Sequence, residues 1–385
     1  MTGDRSTTPG RRDTPHDRGD TPRTPFSRVG TPRTPHHRTG FPRAPRAVRA
    51  LRGWGGVAAM ALACVLTALV TLLPLSRSGP DGIGGDGPAG TGGTGGPGVG
   101  VTRPAAADDC TPESAVRSLR PSKDEGPTVE EIKNRKDKPN KLIVGVDQNS
   151  YRWGYRNPST GDLEGFDIDL VRAIADALLG DPDAVVYRAV PTNQRVQAIR
   201  SGQVDMVVRT MTITCDRVRE VAFSTAYFET GQQLLVPNDS KITGYDASLK
   251  GKRLCAAAGS TAETELKRKS FGADVSTTVP NQLDCLVRLQ LGEVDAVVTD
   301  SALAAGQAAQ DPTVELVGEP FTTEYYGVAM SKESPDLVRQ VNQVLVDYRK
   351  DGSDDKSDWD RAYEDWLADD LKNVDGPPKP QYRED

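Results

Sequence analysis

The sequence predicts an α/β protein of two lobes. Three observations predict it. Short β-branched runs alternate with helical stretches, which is the pattern of parallel sheets covered by helices. The alternation runs through twice, over about residues 141–208 and again over 253–300, so two sets of elements are present. The chain has 385 residues, enough for two lobes with extensions.

The elements follow in order. "KLIVGV" (141–146) is a strand. "DIDLVRAIADALLG" (167–180) places Ile168, Val171, Ile174, Ala175 and Leu178 on one helical face and ends in Gly180. "AVVYRAV" is a strand, "QRVQAIRSG" a helix and "VDMVV" a strand. The second set reads "KRLCAAA" strand, "TAETELKRKS" helix, "DVSTTV" strand, "NQLDCLVRLQLG" helix and "VDAVVTD" strand. Ligands of such sheets bind beyond the carboxyl ends of the strands.

Three segments precede the folded part. Residues 1–52 repeat Thr-Pro and Pro-Arg units with little to bury, which predicts a disordered basic tail. Residues 54–75 form an uncharged run of 22, long enough to span a bilayer, within a predicted transmembrane helix over 53–76. Arg43, Arg46, Arg49 and Arg52 lie just before it, so the positive-inside bias puts the tail in the cytoplasm and the rest outside. A lipoprotein attached at Cys64 and a cleaved, secreted form are the rival readings. Residues 77–109 are Gly- and Pro-rich and read as a flexible linker. The folded part is expected from 110 to 372, with a disordered tail over 373–385.

Charge and composition exclude several functions. Residues 1–52 carry +8, which leaves −14 on the remainder of a chain with net charge −6. An acidic body argues against a nucleic-acid partner. All three histidines (His16, His36, His37) lie in the tail, so the body has no Ser-His or Cys-His pair and no His-based metal site. We expect no cofactor and no metal. Beyond Cys64 there are four cysteines, an even count that suggests two disulfides with three connectivities. Cys255 and Cys285 fall in one lobe, which favours Cys255–Cys285 and leaves Cys110–Cys215. Free buried thiols are the alternative.

The segment "VVRTMTITCDR" (207–217) holds the candidate chemistry. Thr210 and Thr212 share one side past a strand end, and Arg217 follows about one turn later. Hydroxyls beside a guanidinium fork suit a carboxylate. A Thr-capped helix with a solvated Arg explains the same residues without a ligand. "STAE" (260–263) is a capping-box pattern, so a helix N-terminus there would also attract an anion. Asp300 follows the strand "DAVVT", where it could equally be a simple helix cap.

Five elements together resemble the family 3 extracellular solute-binding proteins, which serve polar amino acid uptake. They are "GFDIDL" (165–170), "SGQVDMVVRTMTIT" with the residues that follow to 236, the stretch 251–263, "GEVDAVVTDSALA" (292–304) and "YYGVAMSKESPDLVRQVNQVL" (325–345). The cysteines and the membrane segment look most like the actinobacterial glutamate- or glutamine-binding branch. The resemblance covers roughly residues 140–370. It implies a type II periplasmic-binding-protein fold whose lobes are joined by two crossovers, here near 232–237 and 319–326. Lobe 1 is then 110–236 with 322–372, and lobe 2 is 237–321.

The resemblance also implies a ligand set. Thr210, Thr212 and Arg217 take the carboxylate of a free amino acid from lobe 1, Ser260 and Thr261 take it from lobe 2, and Asp300 meets the ammonium. Tyr151 stands where the family usually has a stacking aromatic, although an ungapped alignment puts Ser150 there. Arg209 replaces a commonly small residue and favours an acidic or amide side chain on the ligand, with Arg152 and Arg195 as weaker candidates for that role. The implied partner is an ABC permease or a membrane sensor. A dehydratase-like enzyme on the same fold and a structural wall protein are the competing functions.

Overall fold

In the computed structural model, residues 110–384 are described apart from 354 and 373. The basic tail, the uncharged run and the Gly-rich spacer all lie outside the described residues. Among the described residues, no helix is long and apolar enough to cross a membrane.

Two five-stranded sheets form the two lobes. The first has the order 185–189, 142–146, 206–207, 329–330, 222–223, and the second the order 274–279, 253–257, 296–300, 232–237, 314–317. In each, one strand runs against its neighbours: 329–330 in the first sheet and 232–237 in the second. Both are the first strand laid down after the chain arrives from the other lobe. They do not return over a helix on their own sheet, so the right-handed parallel crossover does not apply to them.

Both faces of each sheet are covered. Leu142, Val144 and Val146 enter one apolar cluster and Ile143 the opposite one. Leu254 and Cys255 divide between the two clusters of the second sheet in the same way. This explains the continuous apolar runs that predicted buried strands.

The crossover pair is 228–230 with 324–326, antiparallel, with Glu324 opposite Thr230 and Tyr326 opposite Phe228. The expected crossover at 232–237 is thereby corrected. That stretch is an internal strand of the second sheet, flanked on both sides, so the boundary expected after 236 falls inside a strand. The true turning point is Gly231, where an added Cβ would sit 2.0 Å from the Thr322 carbonyl oxygen. Only a residue without a side chain lets the two crossing segments approach this closely.

"GFDIDL" has a packing reason. Gly165 has φ +126°, and a Cβ there would meet the Trp153 carbonyl at 2.5 Å. The next residue, Phe166, then packs with Trp153 and Phe228, and Trp153 also meets Tyr326. Trp153 Nε1 donates to the Ala302 carbonyl at 3.1 Å, tying lobe 1 to lobe 2 beside the crossover.

Two disulfides form, Cys110–Cys215 and Cys255–Cys285, with Cα separations of 5.7 and 5.6 Å. The first joins the start of the folded part to the helix 215–220 that carries Arg217.

The C-terminal expectation is corrected in one respect. Residues 376–384 do not read as a core in sequence, yet Tyr382 bridges Ser118, with backbone bonds of 3.0 and 2.9 Å on either side. The Ser118 segment is itself anchored: its hydroxyl donates to the Phe223 carbonyl, and Asn342 donates to Ser118 Oγ and the Leu119 carbonyl. A fixed edge gives the tail backbone partners. Asn342 also accepts from Thr225 N at 2.7 Å and is fully buried. Asn342→Ala leaves these backbone groups unpaired, so we expect a loss of about 2–3 kcal/mol in denaturant unfolding.

Candidate functional site

The three threonines of "VVRTMTITCDR", Thr210, Thr212 and Thr214, do three different things. Thr210 takes a positive φ of 40°, and its N–H donates to Asp167 Oδ2 at 3.0 Å. Asp167, from "GFDIDL", is fully buried and also accepts from Tyr227 at 2.7 Å. Burial pushes its carboxyl up to about 7, and these two donors work against the shift. Thr214 caps the helix 215–220 by accepting from Arg217 N at 3.3 Å. Thr212 is the one whose hydroxyl enters the cleft.

Arg217 is partly buried at the mouth of that cleft. Its Nη1 donates to the Thr212 carbonyl at 2.6 Å and its Nη2 to the Gly259 carbonyl at 3.0 Å, so one fork spans both lobes. Burial lowers its pKa, while Glu324, Asp300 and Asp216 hold it up.

On lobe 2, Ser260 caps the helix 261–268 by accepting from Glu263 N at 3.1 Å. The Gly259 N–H in turn donates to Glu263 Oε2 at 2.7 Å. Ser260 is thus placed as a cap, and the Thr261 hydroxyl turns into the cleft, where it donates to Glu324 Oε2 at 2.8 Å. Thr212, Arg217, Ser260, Thr261 and Glu324 line one cavity of about 510 Å³ between the lobes.

Asp300 ends its strand directly opposite Gln232. Gln232 Nε2 donates to Asp300 Oδ1 and, at 3.1 Å, to Thr261 Oγ1. Tyr326 donates to Asp300 Oδ2 at 2.6 Å. Burial first, then the Glu324 charge, push the Asp300 carboxyl up to about 7. Gln232 Oε1 is buried and has no donor among the described residues, which leaves an acceptor beside Asp300.

The structure separates the remaining candidates from this group. Arg209 is fully buried and committed: it pairs with Asp147 Oδ2 at 2.8 Å and donates to Thr192 and, across the cleft, to Asn281. Its reading as a cation open to the ligand is corrected, because its charge is already neutralised by Asp147, about sixty residues earlier in the chain. Tyr151 packs edge-on against Tyr155 at 5.0 Å and lines a separate small recess with Leu283, Leu303 and Gln307. Arg152 pairs with Asp369 and Asp370.

Arg195 lies beside Arg209. It is buried, and among the described residues it donates only to carbonyls, those of Thr192, Arg209 and Thr210. Burial and repulsion from Arg217 and Arg209 pull its pKa well down, against Asp300 and Asp147.

Sequence reasoning missed Gln232, Glu324 and Tyr326. All three lie on or beside the crossover strands, where a polar residue reads as an ordinary edge position. The usable signal was Glu324 itself, a charge set two residues before the "YG" that opens a buried strand.

Comparison with known proteins follows from this geometry. The family model described as bacterial extracellular solute-binding proteins, family 3, matches residues 142–369. The ABC transporter glutamine-binding protein GlnH of Bacillus subtilis (strain 168) is 36% identical over 230 residues, which is 60% of this chain and 82% of that protein. The glutamate-binding protein GluB of Corynebacterium efficiens is 32% identical over 223 residues, 55% of this chain and 75% of that one. Among solved structures, an ancestral arginine-binding protein bound to glutamine is 37% identical with a TM-score of 0.54, covering 59% of this chain and 98% of that one. The P235GK mutant of ArgBP from T. maritima is 29% identical with a TM-score of 0.57, covering 63% and 99% respectively.

Proposed function

The chain belongs to the bacterial extracellular solute-binding proteins, family 3, and from that premise we propose that it closes on one free amino acid outside the cytoplasm and presents it to an ABC permease. One observation carries the reading. The hydroxyls of Thr212 and Thr261, from opposite lobes, both donate to one carboxylate oxygen, Glu324 Oε2, at 2.7 and 2.8 Å, which shows that the pair can hold a carboxylate between the lobes. A site that reads a carboxylate with both lobes at once is completed only when the lobes meet, so ligand and closure favour each other.

In this reading the α-carboxylate takes the two threonine hydroxyls and the Arg217 fork. Thr210 and Arg209 shape the wall behind. Asp300 and the unpartnered Gln232 Oε1 take the ammonium. Arg195 reads the side chain, and its buried, mutually repelled charge favours an acidic or amide group. Relatives named for glutamine and glutamate support the same class. The uncharged run 54–75 anchors the protein in the membrane with the folded part outside. Titration calorimetry of the full-length protein against the twenty amino acids tests the reading. Micromolar or tighter binding of glutamate or glutamine is expected, and no heat with any amino acid would refute it.

Asp300 makes binding pH-dependent. Its carboxyl titrates at about 7 in the free protein, and a ligand ammonium needs it charged, so binding below that pH releases a proton. Affinity is expected to fall by up to about ten-fold per unit as pH drops below 7. Asp300→Asn should bind more weakly at pH 8 and show a flat profile. The ligand-free fold should behave in the opposite sense. The native state holds the Asp300 proton between 3.8 and about 7 while the unfolded chain does not, so this group's contribution to stability declines as pH rises through that window.

A further inference from the structure

The carboxylate that the two threonines already hold belongs to Glu324, a residue of the crossover strand, with only 7% of its surface exposed. Its Oε2 accepts from Thr212 on lobe 1 at 2.7 Å and from Thr261 on lobe 2 at 2.8 Å. Its Oε1 accepts from Thr322 at 3.3 Å. We propose that Glu324 is a built-in stand-in for the ligand's carboxylate: it holds the empty lobes together and must give up both hydroxyls before an amino acid is bound.

The argument is one of hydrogen count. A threonine hydroxyl has one hydrogen to donate. Those of Thr212 and Thr261 are both spent on Glu324, and Thr261 Oγ1 also accepts from Gln232. An incoming carboxylate cannot share them. It would also place a second negative charge on the same two donors, where like charges repel.

The cation that offsets Glu324 is Arg217, for which Glu324 is the foremost attraction. Arg217 makes no ion pair with it among the described residues, because its fork is turned to the carbonyls of Thr212 and Gly259. The arrangement is therefore a closed circuit that needs no ligand: lobe 1 hydroxyl, crossover carboxylate, lobe 2 hydroxyl. Through Thr261 and Gln232 it continues to Asp300, so release of Glu324 is felt at the ammonium end as well.

Two consequences separate this role from simple packing. The ligand-free protein populates the closed form more than it would without Glu324. The apparent affinity for ligand is lowered, because part of the binding free energy goes into displacing an internal competitor. Only the second rests on the reading of Thr212 and Thr261 as the ligand's carboxylate donors; the first is observed without a ligand.

The test uses the full-length protein with one dye on each lobe, attached through non-canonical residues so that the disulfide cysteines are untouched. Energy transfer reports the interlobe distance, and calorimetry with L-glutamate and L-glutamine reports affinity. Glu324→Ala removes the acceptor. Glu324→Gln keeps the shape and one acceptor oxygen but loses the charge, which guards against a misfolded variant. The ligand-free distance should lengthen in Glu324→Ala and less so in Glu324→Gln. Affinity should tighten by about ten-fold in Glu324→Ala, with Glu324→Gln in between. A ligand-free distance equal to wild type in both variants overturns the proposal, as does an affinity that stays level or falls in both. If wild type binds no amino acid at all, the proposed function fails, and the ligand-free distance alone decides the role of Glu324.

Discussion

Arg217→Ala is expected to weaken amino-acid binding by at least about 100-fold, read by calorimetry, with little change in the unfolding midpoint. A charge-assisted hydrogen bond contributes about 1.5–3 kcal/mol, and the guanidinium fork offers two to a carboxylate. The same side chain now bridges Thr212 and Gly259 across the cleft, so its loss also weakens closure. Arg217→Lys should fall between the two, because an ammonium keeps the charge and loses the fork. Arg217 is only partly buried and packs at the cleft mouth, which is why stability should be spared. A binding constant for Arg217→Ala within a few-fold of wild type would remove the carboxylate from this position.

The second large effect is structural. Cys255 and Cys285 are both fully buried, one on the second sheet and one on the helix 282–290 that covers it. Their separation of 30 residues corresponds to about 3–4 kcal/mol in the chain-entropy account of cross-links. The Cys255→Ala, Cys285→Ala double variant should lose about that much in denaturant unfolding and leave ligand contacts unchanged. Cys110–Cys215 closes a longer loop of 105 residues, and its removal should loosen the helix carrying Arg217 as well as lower stability. A double variant at 255 and 285 with wild-type stability would show that the bond contributes nothing to the fold.

What was legible in the sequence follows from how local each signal is. The strands 142–146, 253–257 and 274–279 are runs that bury both sheet faces or alternate cleanly, and such patterns need no partner to be recognised. The helix 215–220 was legible because Thr214 and Arg217 lie within one turn of each other. Arg209 was misread because its neutralising partner, Asp147, sits at the end of a different strand, and only the sheet brings them together. Glu324 and Gln232 were missed for the same reason: their meaning comes from Thr261, Thr212 and Asp300, each on another element. The crossover was displaced by a few residues because "QQLLVP" is the most strand-like stretch near it, whereas the real crossing pair spans three residues on each side.

The helix 358–366 shows a third kind of limit. "DWDRAYEDW" looks polar by composition, yet Trp359 and Ala362 are buried against lobe 1, and Trp359 Nε1 donates to the Tyr227 carbonyl at 2.8 Å. Its apolar stripe is narrow and flanked by acids, so composition hides it while spacing reveals it. The segment 376–384 has no such stripe. Its order comes from the backbone of Ser118, which no reading of its own residues can supply.

The bond between Cys110 and Cys215 has a mechanical meaning. Cys110, where the described residues begin, is fastened to lobe 1, and Tyr382, near their other end, is paired with Ser118 of lobe 1. Among the described residues, the two crossing segments are the only covalent attachments between lobe 2 and lobe 1. Lobe 2 is therefore the jaw that pivots on those two segments, while a force applied at either end of the described residues is borne by lobe 1 and leaves the bite free to open and shut.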